Sequence, residues 1–139
     1  MRRSLALALV LCASVASIAS AKTKNGITPT KPEGGTVLAS GHGLTYKGKV
    51  SGKGQVFIHV AKTKKRDADG VINGISGSGV DVLKAKRKGG RFTAKAPDYS
   101  FPSYYLVKPG TYYWQAFRIE CTGSSDCSQE GPIVKFKVR

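Results

Sequence analysis

Apolar and polar residues alternate along several short runs of this chain. In residues 44–50, Leu44, Tyr46 and Val50 fall on one row, and Thr45, Lys47 and Lys49 fall on the other. In residues 55–61, Val56, Ile58 and Val60 form one row, with Phe57 and His59 on the reverse. The C-terminal run repeats the pattern, with Val134, Phe136 and Val138 opposed to Lys135 and Lys137. A period of two predicts half-buried strands with a wet outer face. Gly48 falls on an inner row, which predicts a bulge or a close approach by a neighbour.

Shorter runs fill the remainder. Residues 36–39 read as a first strand, and Val71 and Ile72 as a short edge strand. The turn at 51–54 makes 44–50 and 55–61 a predicted β-hairpin. Residues 86–90 form a basic, glycine-ended turn that joins a strand starting near Val80 to residues 91–96 as a second hairpin. Turn signals such as Asn73-Gly74 separate these runs, and no helical period of useful length occurs. Many short strands divided by Gly and Pro predict an all-β, two-sheet sandwich.

The longest strand-like run covers residues 106–120 and holds the only Trp. Strict alternation places Tyr112, Trp114, Ala116, Arg118 and Glu120 on one face, with Tyr113, Gln115, Phe117 and Ile119 on the other. The apolar side therefore changes near Ala116 and Phe117. Either a β-bulge shifts the register there or both faces are partly covered. An unpartnered buried Arg118 would be costly, which favours the bulge. Tyr112 and Trp114 are the expected core residues of this strand.

The N-terminus stands apart. Arg2 and Arg3 precede an apolar stretch from Leu5 to Ala13, and Ala19-Ser20-Ala21 supplies small residues for cleavage. This three-part pattern predicts a secretory signal peptide over 1–21. Ser14, Ser17 and Ser20 interrupt the apolar stretch before it could cross a bilayer, and no later segment is long enough to do so. Leu9-Val10-Leu11 before Cys12 lacks the small residue of a lipoprotein signal. Residues 22–35, rich in Gly and Pro with only Ile27 strongly apolar, are predicted to be a flexible linker. Residues 36–139 make the sandwich domain.

The run Pro109-Gly110-Thr111-Tyr112-Tyr113-Trp114 resembles the start of the sixth strand in fibronectin type III and related immunoglobulin-like domains of secreted bacterial proteins. The closing run from Gly131 to Val138 looks like the last strand of that family. Pro32-Glu33-Gly34-Gly35-Thr36-Val37 is similar to the opening of such exported domains. The resemblance covers most of residues 32–139 and implies an immunoglobulin-like sandwich. Residues 62–90 carry none of its motifs.

Charge changes the picture most. The chain holds 23 Lys and Arg against 8 Asp and Glu, a formal net charge of +15, and the excess persists without Arg2 and Arg3. Such a surface attracts anions, although it also serves solubility. Lys62, Lys64, Lys65 and Arg66 make one cluster; Lys84, Lys86, Arg87, Lys88 and Arg91 make another. They are candidate anion-binding residues, or else two solvated loops.

The other candidate chemistry is sparse. Outside the leader only Cys121 and Cys127 remain, and export predicts a disulfide between them, worth about 2–2.5 kcal/mol for so short a loop. Two thiols with no nearby His make an incomplete zinc set. Asp67-Ala68-Asp69-Gly70 faintly resembles a calcium loop but lacks further oxygen ligands, and turn chemistry explains it. No metal and no cofactor is expected. Tyr99, Phe101, Tyr104 and Tyr105 make a candidate aromatic surface, or packing over one end of the sandwich. His42 and His59 have no evident catalytic pairing, and no nucleophile elbow or zinc-protease motif occurs, so no catalytic residue is assigned.

These features predict an exported, non-enzymatic binding or structural module of the cell envelope or extracellular space. It would recognise a protein or polysaccharide at the cell surface through loops or an edge strand. The main alternative is an electrostatic binder of an anionic polymer, a wall polyanion or nucleic acid; a small secreted hydrolase or inhibitor is a third reading. The fold alone does not choose among them.

Overall fold

The computed structural model describes residues 22–40, 43–68, 70–72, 81–96, 109–121 and 127–139. The leader expected over 1–21, His42, Asp69 and the aromatic residues Tyr99, Phe101, Tyr104 and Tyr105 lie outside the described residues. The strands are β1 (Ile27–Lys31), β2 (Val37–Leu38), β3 (Thr45–Val50), β4 (Gln55–Ala61), β5 (Asp81–Lys84), β6 (Lys86–Lys88), β7 (Arg91–Lys95), β8 (Gly110–Ile119) and β9 (Ser128–Val138). They form two sheets. One has four antiparallel strands in the order β1-β3-β7-β6, and the other has five in the order β2-β9-β8-β4-β5. Only β2 is parallel to its neighbour, β9.

One core joins the sheets. Ile27, Tyr46 and Phe92 from the four-stranded sheet pack in the same cluster as Val56, Ile58, Tyr112, Trp114 and Phe136 from the five-stranded sheet. The Tyr46 ring lies 5.3 Å from Trp114 and 6.4 Å from Phe136, centroid to centroid. Each large apolar side chain so buried contributes about 1.5–3 kcal/mol. The architecture is all-β and sandwich-like, with no helix among the described residues.

Residues 27–31 form β1 where composition predicts a linker. Ile27 is fully buried, and Pro29 and Pro32 are buried as well, so the segment contributes more apolar surface than Ile27 alone. Pro29 is tolerated within β1 because this is an edge strand. The chain then crosses to the other sheet and becomes β2. The Trp114 indole N–H donates to the Pro32 carbonyl at 3.1 Å, which fastens that crossing to the core.

Neither predicted hairpin forms as expected. β3 and β4 lie in different sheets, so residues 51–54 bridge the layers instead of turning a hairpin. The Arg87 guanidinium donates to the Gly52 and Gly54 carbonyls, and Arg118 Nη1 donates to the Ser51 carbonyl at 2.6 Å. These bonds satisfy the backbone of a turn that has no ladder partner. Likewise β5 belongs to the five-stranded sheet. The chain changes layer at buried Ala85, and the hairpin that does form joins β6 to β7. Gly48 is the close approach its position predicts: an added Cβ would strike the Phe92 ring and come 2.6 Å from the Thr28 carbonyl oxygen.

The long strand β8 is central in its sheet, with Tyr112 and Trp114 in the core. The register does shift, and the extra residue sits on β9. Gln115 pairs with Ile133 and Phe117 with Glu130, so Ala116 faces both Gly131 and Pro132. Against β4 the strand stays in register throughout. The shift therefore does not turn Arg118 outward, as the cost argument favours. Arg118 stays on the inner row opposite Val56, at the end of the sandwich, where the Ser51 carbonyl receives it. The outer face is covered instead: Gln115 and Phe117 are both buried.

Gly131 makes this bulge possible, because an added Cβ would lie 2.8 Å from Ile27 Cγ2 and 2.9 Å from the Ala116 carbonyl oxygen. Gly131→Ala is expected to cost about 1–3 kcal/mol by overpacking. Gly34→Ala, where a Cβ meets nothing within 4 Å, is expected to be nearly silent. Urea midpoints of the two variants check this; equal midpoints would contradict it.

Candidate anion-binding face

The outward rows of the four-stranded sheet carry one sign of charge. Lys31 of β1, Lys47 and Lys49 of β3, Arg91 and Lys95 of β7, and Lys86 and Lys88 of β6 are all exposed. Thr28, Thr45 and Thr93 are the other residues in register with them. No acidic residue occurs in any of these four strands.

The pairing registers arrange these residues as a grid. Lys49 stands opposite Arg91, which stands opposite Lys88. In the next row Lys31 faces Lys47, Lys47 faces Thr93, and Thr93 faces Lys86. Neighbouring strands are about 4.8 Å apart, and successive outward positions along a strand are about 6.8 Å apart. Like charges directly opposite each other destabilise a sheet. The strands hold this arrangement because their inner rows, Tyr46 and Val50 on β3 and Phe92 and Ala94 on β7, are buried.

The two clusters suggested by sequence are not brought together. Lys86, Lys88 and Arg91 do lie on this face. Lys84 is exposed on β5, in the other sheet, and Arg87 is committed to the turn carbonyls. Lys62, Lys64, Lys65 and Arg66 follow β4, which begins near the Val50–Gly90 hydrogen bond and carries them to the far end. There Lys62 Nζ lies 5.9 Å from the Tyr112 ring centroid, and Arg66 bridges to Ile72. Lys31, Lys47, Lys49 and Lys95 escape a search for charge runs, since none of them is adjacent in sequence to another cation. Alternation is the signal that finds Lys47, Lys49 and Lys95; Lys31 lies in the segment that composition assigns to a linker.

The five-stranded sheet differs. Residues 66–68 and 70–72 lie across its outer face, where the Ile72 N–H donates to Gln115 Oε1 at 2.7 Å. His59 Nδ1 donates to the Ile72 carbonyl at 2.8 Å, with its ring 4.5 Å from Phe117. Burial lowers the His59 pKa, against the smaller upward pull of that bond and of Asp67. Asp67 accepts from the Val71 N–H at 3.0 Å, so it works in this turn. Glu130 holds Lys24 Nζ at 2.6 Å; burial, the largest single influence, would raise its carboxyl, but the Lys24 hydrogen bond, a backbone hydrogen bond and the Lys24 and Arg66 charges together outweigh it and lower it. No cluster of His, Cys, Asp and Glu among the described residues could hold a metal ion. The Glu120 N–H donates to the Cys127 carbonyl at 3.0 Å, which brings the backbones at Cys121 and Cys127 to the base of one loop; no disulfide joins the two residues in this structure.

Comparison with known proteins returns no match: no family model fits the chain, and no curated protein or solved structure aligns with it significantly.

Two outcomes follow from the electrostatics. Lys49→Glu places an acid beside Arg91, so it is expected to stabilise the fold at low salt by about 0.2–1 kcal/mol. The gain is expected to shrink by 1 M salt, where screening acts within about 3 Å; a lowered urea midpoint at low salt would contradict it. Because the folded state depresses the His59 pKa, its contribution is full above the ordinary value of 6.5 and is lost as pH falls below it. Glu130, also depressed, loses its contribution only below the ordinary carboxyl value of 4.5. His59→Asn should therefore flatten the midpoint between pH 7 and pH 5 and leave the acid limb unchanged.

Proposed function

We propose that this chain is an exported, non-enzymatic immunoglobulin-like module that binds an anionic polymer on the outer face of its four-stranded sheet. The carrying observation is the grid of seven exposed cations on four strands that contain no acid. Such a face focuses a positive potential and binds polyanions by releasing their counterions. The strand orders support the immunoglobulin-like reading, since they correspond to the A-B-E-D and A′-G-F-C-C′ layers of that fold. The chain departs from antibody domains in placing its Trp on the F-like strand and no cysteine on β3 or β8. Export rests on the three-part leader, and with it comes the disulfide between Cys121 and Cys127.

A second reading, recognition of a surface protein or polysaccharide at a sheet edge, draws on exposed Val37 of β2 and Val82 of β5.

The test is fluorescence anisotropy of the mature chain with labelled inorganic polyphosphate across a salt series. Affinity is expected to fall linearly in log–log form, by about 0.7–0.9 in slope for each anion contacted. The Lys47→Gln/Lys49→Gln/Arg91→Gln variant should bind at least tenfold more weakly, with a slope smaller by about 2–3. Salt-independent binding, or wild-type binding by this variant, would refute the proposal. Alkylation and mass measurement of the exported chain should find Lys22 at the N-terminus and neither cysteine modified without prior reduction.

A further inference from the structure

We infer that the polymer taken by this face is a linear polyphosphodiester read through its backbone alone, as in a polyol-phosphate chain that carries no bases. The inference rests on the anion-binding reading above and adds the chemical class of the ligand.

Three observations carry it. The first is spacing. Outward cations repeat every second residue along a strand, as Lys47–Lys49 and Lys86–Lys88 do. Two residues of extended polypeptide span six backbone bonds, or about 6.8 Å. A phosphodiester bridged by three carbons also has six bonds between phosphorus atoms, so its charges recur at about the same interval.

The second is what the grid lacks. Its members are Lys, Arg and Thr, with no aromatic residue among them. Proteins that bind single-stranded nucleic acid add aromatic platforms on which bases stack, worth about 1–3 kcal/mol per base. The grid also lacks any apolar side chain that could enter a lipid interface, as membrane-surface elements do. The inner apolar rows of these strands are all turned into the core.

The third is the type of cation. Six of the seven are Lys and one is Arg. Lysine is a mobile, strongly hydrated point charge, whereas arginine supplies the planar fork used for bidentate and stacked recognition. The three threonines add hydroxyl donors between the charges. The face is suited to phosphates that recur at intervals, whatever their substituents.

The test compares labelled oligomers of equal phosphate number: an abasic tetrahydrofuran chain, oligo-dT and oligo-dA, each titrated with wild type and with the Lys47→Gln/Lys49→Gln/Arg91→Gln variant. Abasic and base-bearing chains are expected to bind wild type within about twofold, and the variant should lose at least tenfold for all three. If oligo-dT or oligo-dA binds tenfold more tightly than the abasic chain and the variant still loses both, the backbone-only inference falls while the anion-binding face stands. If no oligomer binds, or the variant binds like wild type, both fall. Phosphatidylcholine vesicles with and without phosphatidylglycerol form the last arm. Sedimentation with the anionic vesicles that excess abasic chain does not reverse would identify a membrane surface and overturn the inference.

Discussion

The burial of Trp114 between the sheets is the interaction on which the rest depends. Its ring meets Tyr46 from the opposite layer, and its N–H holds the Pro32 carbonyl. A buried indole N–H without an acceptor would be costly, so the Pro32 backbone is drawn to the core. That point is where the chain leaves β1 and crosses to form β2. Trp114 thereby stabilises one edge of each sheet. It also places Lys31, the residue before the crossing, beside Lys47 on the cationic face.

The two layers divide their duties. The five-stranded sheet contributes most of the aromatic core, and residues 66–68 and 70–72 lie over its outer side. The acids that lie within described strands, Asp81 and Glu130, both belong to it. The four-stranded sheet carries seven exposed cations on its outer face and no acid in its strands, whereas the five-stranded sheet mixes exposed Lys84, Lys135 and Lys137 with acids. Side-by-side like charges cost stability, and burial of Tyr46, Val50, Phe92 and Ala94 beneath them offsets that cost. A local rule broken without structural gain is the kind of feature a binding surface produces.

Much of the strand content is legible in the chain. Residues 55–61 are a strand with those bounds, and Gly48 marks a close approach, because inner and outer rows follow a period of two. Three readings fail for non-local reasons. The 22–35 linker contains β1, since Pro29 and Pro32 count as buried surface only once a neighbouring strand and a core exist. The 51–54 turn spans two layers because Arg87 and Arg118, distant in sequence, satisfy its carbonyls. The bulge near Ala116 is legible, but its placement on β9 is not, because the extra residue depends on how Gly131 meets Ile27 and Ala116.

The same division holds for the candidate site. Alternation is a property of neighbouring residues, so the period of two by itself turns Lys47, Lys49, Arg91 and Lys95 outward. Which strands lie side by side is a matter of long-range pairing, which local pattern leaves open. The charge runs at 62–66 and 84–91 draw attention because their residues are adjacent in sequence. The fold sends the first to the far end and divides the second between two sheets and a turn. It gathers instead four lysines that sequence leaves scattered from 31 to 95. The chain determines which side chains point to the same side of their own strand, because that choice is made within each strand. The tertiary structure determines which of them share a face, because that choice is made between strands.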